Sequence, residues 1–145
     1  MANDQSSRGP TPSIGQSEQS PADVSLRIKS QRGATVVSVS GELDASNIHR
    51  LRDCVQRLAR CGGPFVLDLT GVDFLTAQGI RVLFGFDEQC RDADVKWALV
   101  PGRPVSRLLR ICDIDGRLPI AHTINDALRR VSARRRSRHL LQLIP

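Results

Sequence analysis

The hydrophobic period of this chain changes repeatedly between Ala34 and Ala93, and those changes limit the folds open to it. Residues 64–70, PFVLDLT, are almost continuously apolar, as a strand covered on both faces must be. The segment before them follows another rule. From Ala45 to Arg60, apolar Ile48, Leu51, Cys54, Val55 and Leu58 recur every three or four positions, the spacing of an amphipathic helix. Asp44 or Ser46 is placed to cap its start, and Gly62-Gly63-Pro64 to end it. A second helix is expected from about Gln78, with Ile80, Leu83, Phe84 and Phe86 inward and Asp87, Glu88, Arg91 and Asp92 outward. Strands and helices in alternation require parallel strands joined by right-handed crossovers.

The flanking segments complete the pattern. VSLRIKS alternates, with Val24, Leu26 and Ile28 on one face, and Gln31-Arg32-Gly33 turns it into the strand ATVVSVSG. The two form an antiparallel hairpin. Downstream, VKWALVP reads as a buried strand, and Pro104 suits the first turn of a third helix, PVSRLLRICD. A short strand around Leu118–Ala121 and a last helix from about Ile124 follow. The expected fold is α/β, a mixed sheet of four to five strands with helices packed against it. Residues 1–22, rich in Ser, Pro, Gly and Gln, are expected to be a disordered tail. The domain is expected over 23–130, and a basic, partly helical tail over 131–145.

Charge and composition narrow the function. The formal net charge is +6, but Arg129, Arg130, Arg134, Arg135, Arg136 and Arg138 stand in a C-terminal stretch with no acid. The remainder is close to neutral, so no nucleic-acid contact is expected of the domain; the tail reads as a solvated extension of the last helix, with nucleic-acid or polyanion binding through its arginines as the alternative. With four Phe, one Trp and no Tyr, a base-stacking platform is poorly supplied. No apolar run is long enough to span a bilayer and no signal segment opens the chain, so no membrane association and a cytoplasmic location are expected. His49, His122 and His139 are dispersed, and Cys54, Cys61, Cys90 and Cys112 lack ligand spacing, so neither a metal nor a cofactor is expected. Cys54, Cys90 and Cys112 read as core residues on helical faces; a redox pairing stays open. Two further readings of the tail stay open: Arg-Arg-Val-Ser132 as a basophilic kinase site, and the apolar end Leu140–Ile144 packing on the domain or on a second copy as a homodimer. There is no Gly-rich phosphate loop before a Lys-Ser/Thr pair and no nucleophile–base pairing, so catalysis is not expected.

The turns carry more. If the first helix is a crossover, the turns after SGELD and after GVDFL emerge at the same end of the sheet. Ligands and partners dock preferentially at the carboxyl ends of parallel strands. Glu42, Asp44, Thr76, Ala77 and Gln78 would then share one surface. Thr76 also suits the N-cap of the second helix, and Gly41 and Gly79 read as backbone requirements.

SGELD, a helix, and then VLDLTGVDFLTAQGIRVLF resembles the STAS domain of anti-sigma factor antagonists, over about residues 24–130. The resemblance implies a module that binds an anti-sigma factor, a serine kinase of ATPase-like fold, and so frees a sigma factor. It further implies phosphorylation of a serine at the start of the second helix, within Asp-Ser-Ser-Gly, which breaks the complex. Here Thr76, Ala77 and Gln78 occupy the places of Asp, the acceptor serine and the second serine. Ala77 has no hydroxyl. Two consequences compete: the partner is bound without this off-switch, or Thr76 acts as a displaced phosphoacceptor. The fitness of Thr76 as a cap favours the first.

Overall fold

A computed structural model describes residues 24–113 and 116–132. Strands β1 (Val24–Gln31) and β2 (Ala34–Leu43) form the expected antiparallel hairpin. Helix α1 (Ile48–Cys61) crosses to β3 (Phe65–Leu75), α2 (Ala77–Ala93) to β4 (Trp97–Val100), and α3 (Gly102–Cys112) follows. A last helix, α4, is described over residues 124–132. The sheet order is β1-β2-β3-β4, with both pairings of β3 parallel. The mixed α/β sheet read from the sequence is therefore present, with four strands.

Alternation divides the core into two layers. Val37, Val39, Phe65, Leu67, Leu69, Trp97 and Leu99 form one cluster with Leu51 and Val55 of α1, Ile80, Leu83 and Phe86 of α2, and Val105 and Leu109 of α3. Ala34, Val36, Val66, Ala98 and Val100, on the other face, meet Ala127, Leu128 and Val131 of α4. Helices on both sides explain why PFVLDLT is continuously apolar: every residue from Phe65 to Leu69 is buried. Each Leu or Phe so enclosed contributes about 1.5–3 kcal/mol from burial. The left-handed Gly62 ends α1, its N–H donating to Leu58 O at 3.2 Å.

Several expectations are corrected. Helix α1 begins at Ile48 and not at Ala45, because local hydrogen bonds to Asp44 hold residues 45–47 as a turn. The strand expected at Leu118–Ala121 is a single bridge between Leu99 and Ile120, held by Leu99 N–H to Pro119 O and Ala121 N–H to Leu99 O, both 2.8 Å. Ile28 is 57% exposed, since β1 is an edge strand and no described helix covers its hairpin end. Cys112 is exposed and is no core residue. Phe84 is only partly buried, with the Arg117 guanidinium 5.6 Å from its ring centroid.

Asp87 was expected on the solvent face and is instead 8% exposed. Its carboxylate accepts from the Trp97 indole Nε1–H at 3.2 Å and from Arg91 Nη2 at 2.7 Å. Trp97 in turn stacks on Phe65, with ring centroids 5.7 Å apart. The indole N–H needs an acceptor once buried, and Asp87 reaches inward to supply it. The readings placed on residues 1–22, on the arginines from 134 onward, on His139 and on the apolar end lie outside the described residues.

Because the exposed Arg91 contributes little, most of the value of Asp87 lies in the Trp97 N–H. Asp87→Ala should lower unfolding free energy by about 1–3 kcal/mol, measured by urea denaturation, with Asp87→Asn losing less. An unchanged midpoint in Asp87→Ala would contradict this account of the buried carboxylate.

Candidate functional site

The parallel register of β2 and β3 brings the two turns together. Glu42 pairs with Phe74 and Leu43 with Leu75, after a shift in the pairing between Gly41 and Glu42. Gly41 makes the shift feasible, with φ at 104°. The Thr76 N–H then donates to Leu43 O at 3.3 Å, tying the start of α2 to the end of β2.

Thr76 is the N-cap of α2. Its backbone is extended and its hydroxyl Oγ1 accepts from Gly79 N–H at 3.2 Å. Gly79 is needed for packing: a Cβ there would stand 2.3 Å from Leu75 Cδ1, so the first turn of α2 rests directly on the last residue of β3. Ala77 and Gln78 are exposed, and their N–H groups have no acceptor among the described residues. Ala77 thus presents only an exposed methyl at the start of α2.

The other turn is organised by Asp44 and Asn47. Asp44 Oδ1 accepts from the Ser46 hydroxyl at 2.6 Å and from Ser46 N–H at 2.9 Å. These bonds, the hydroxyl's first, hold the Asp44 carboxyl below its ordinary range. Asn47, buried, donates Nδ2–H to Glu42 O at 2.8 Å and accepts from Asp44 N–H at 3.0 Å. Sequence reasoning passed over Asn47. Its signal was an Asx residue immediately before the apolar Ile48. Glu42 and Asp44 are partly exposed, so Glu42, Asp44, Thr76, Ala77 and Gln78 all stand at the carboxyl end of the sheet.

Elsewhere the chemistry is sparse. On the face of the sheet opposite α1 and α2, a groove of about 290 Å³ is lined by Arg27, Lys29, Ser38, Asp68 and Thr70. The buried Asp68 carboxylate accepts there from the Ser38 hydroxyl at 3.1 Å and the Thr70 hydroxyl at 2.7 Å. Burial, followed by the charge of Asp87, pushes the Cys90 thiol up to about 12, and burial also raises Cys54, so neither is a ready nucleophile. No group of side chains suited to a metal ion occurs among the described residues, and no described helix is long and apolar enough to cross a membrane. Two tail arginines are engaged locally: Arg129 pairs with Asp126, and Arg130 Nη1 donates to Ile120 O at 2.6 Å. Ser132 lies within helical α4.

A family model described as STAS domain matches residues 25–127. The chain is 37% identical over 99 residues to Osmosensory protein A of Mycobacterium tuberculosis, covering 66% of this chain and 63% of that protein's length. It is 32% identical over 105 residues to the Anti-sigma-F factor antagonist RsfA of the same species, covering 70% of this chain and 82% of RsfA. Among solved structures, an anti-sigma factor antagonist from Mycobacterium paratuberculosis superposes with a TM-score of 0.71 at 26% identity, over 79% of this chain and 99% of that one. The anti-sigma factor antagonist SpoIIAA in its unphosphorylated form gives 0.61 at 16% identity, over 75% of this chain and 97% of that one, a likeness of fold.

Thr76→Ala should cost about 1 kcal/mol in urea unfolding, and Thr76→Ser almost nothing, since the hydroxyl that accepts from Gly79 is what is lost. Because the folded carboxyl of Asp44 sits below its unfolded value, its contribution is complete above the unfolded value and is lost as pH falls through the folded one. In an NMR titration the Ser46 amide should therefore move at a pH below the ordinary aspartate midpoint.

Proposed function

The chain belongs to the STAS-domain family, and from that membership we propose that it acts as an anti-sigma factor antagonist. It is a binding module, acting in the cytoplasm, that takes up an anti-sigma factor and so frees a sigma factor for transcription. The partner is a serine kinase of ATPase-like fold, and any phosphoryl chemistry is the partner's; this chain catalyses nothing. Glu42, Asp44, Thr76, Ala77 and Gln78 form the docking surface. One observation carries the reading: in a chain whose STAS match runs through residues 25–127, the turns bearing these residues converge at one end of the sheet.

The complex is formed without the usual serine switch. Ala77 offers no oxygen, and the nearest hydroxyl, that of Thr76, already accepts from Gly79 N–H as the cap of α2. That oxygen is already committed to ordering the first turn of α2. The geometry of Thr76 therefore favours a constitutive antagonist over one switched at a displaced acceptor.

Intact-mass measurement after mixing tests both halves. The full chain is incubated with purified anti-sigma factors of the source organism and with the anti-sigma-F factor of Mycobacterium tuberculosis, and ATP is then added. A stable complex whose antagonist gains no mass is expected, while an Ala77→Ser chain gains one phosphoryl group. A gain mapped to Thr76 in the wild-type chain overturns the switchless reading. Capture of no anti-sigma factor overturns the functional assignment.

A further inference from the structure

Phe74 is set apart from the other aromatic residues. Phe65, Phe86 and Trp97 are buried in the large core, and Phe84 is partly covered against it. Phe74 is 52% exposed at the carboxyl end of β3, with Glu42 as its register partner and Thr76 two residues later. The fold does not need its ring there, because Val72 and Leu75 make the last core contacts of the strand. Of the other large apolar side chains left exposed among the described residues, Ile28 lies toward the hairpin end of β1 and Ile111 near the end of α3, both away from the turns. Phe74 alone among these three stands on the candidate docking surface.

The two turns beside the ring carry only acidic charge. Glu42 is its register partner, Asp73 precedes it in sequence and Asp44 lies two residues beyond Glu42, and neither residues 42–47 nor residues 73–78 include a base. The guanidinium of Arg50 is turned to the edge strand, donating to Val24 O at 2.8 Å. The nearest base along α2 is Arg81, about one turn beyond Ala77. An exposed aromatic ring beside acidic turns has a definite complement: an apolar socket whose rim carries Lys or Arg. A second copy of the same surface is a poor fit, since a two-fold contact would set the carboxylates against one another.

We propose that Phe74 is the apolar anchor of this surface, entering a socket on the anti-sigma factor whose basic rim faces Glu42, Asp44 and Asp73. The proposal rests on the functional reading above and adds to it the residue that supplies most of the affinity. Interfaces draw most of their affinity from a few well-packed aromatic or arginine side chains, while rim charges mainly set the association rate. The exposed methyl of Ala77, three residues further on, would then be enclosed together with the Phe74 ring.

The test compares the full chain with Phe74→Ala and Phe74→Leu against whichever protein of the anti-sigma panel above the wild-type chain captures. Dissociation constants and association rates are measured, with thermal unfolding in parallel. Phe74→Ala should weaken binding about tenfold or more with little change in unfolding midpoint, and Phe74→Leu should weaken it less, in the same direction. Raising ionic strength from about 50 to about 500 mM should slow association of the wild-type chain, and Glu42→Gln with Asp73→Asn should flatten that dependence. If Phe74→Ala fails to fold, the Leu variant carries the test, since it keeps an aliphatic side chain at the strand end. Binding by either folded variant within about twofold of wild type overturns Phe74 as anchor, and association insensitive to salt overturns the basic rim. A wild-type chain that captures no anti-sigma factor has a different meaning, because it brings down the functional reading on which the proposal stands.

Discussion

The end-on registration of β2 with β3 is the constraint from which the remaining features follow. Leu43 and Leu75 are paired, and the Thr76 N–H closes on Leu43 O. Slipping that pairing by one residue would turn either Val37 and Val39 or Phe65, Leu67 and Leu69 away from α1 and α2, and would bring Ser38 or Asp68 to that layer in their place. The hydrophobic layers therefore hold the register, and the register holds the turns. The turn at 44–47 closes on its own local bonds, whereas the start of α2 depends on the register, since Thr76 N–H needs Leu43 O from a segment more than thirty residues earlier.

Much of this was legible because burial imposes periods on sequence. The helix-then-strand change between Leu58 and Phe65 announced a parallel crossover, and the covered strand PFVLDLT announced helices on both faces. What escaped reading was set by single polar contacts. Asp87 looks like a solvent-side acid by position, and only the indole of Trp97 draws it inward. Asp44 and Ser46 looked like helix caps, but their mutual bonds make a separate turn that delays α1 to Ile48. Ile28 follows the alternation of Val24 and Leu26, yet alternation does not say how far the covering helices reach.

The surface shows the same division. The convergence of the two turns was legible, because the carboxyl ends of neighbouring parallel strands must coincide. Thr76 as a cap was legible too, from an oxygen-bearing side chain ahead of an apolar period. Phe74 was not. Only the irregular pairing at the end of β3 leaves it out while Val72 and Leu75 turn in. Asn47 escaped for the converse reason, since a polar residue in a turn is assumed to be solvated unless its partners are known.

The contact between Trp97 and Asp87 has a practical consequence. Trp97 is the chain's one tryptophan, and it pairs with Phe65 at the start of β3, whereas Thr76 follows the end of that strand. The length of β3, roughly 30 Å at the usual rise per residue, lies between them. The protein thus carries an intrinsic fluorophore clamped in its interior at the pole remote from the turns. Its emission follows the integrity of the sheet and is insulated from events at the other pole, so light from this indole separates loss of structure from loss of association.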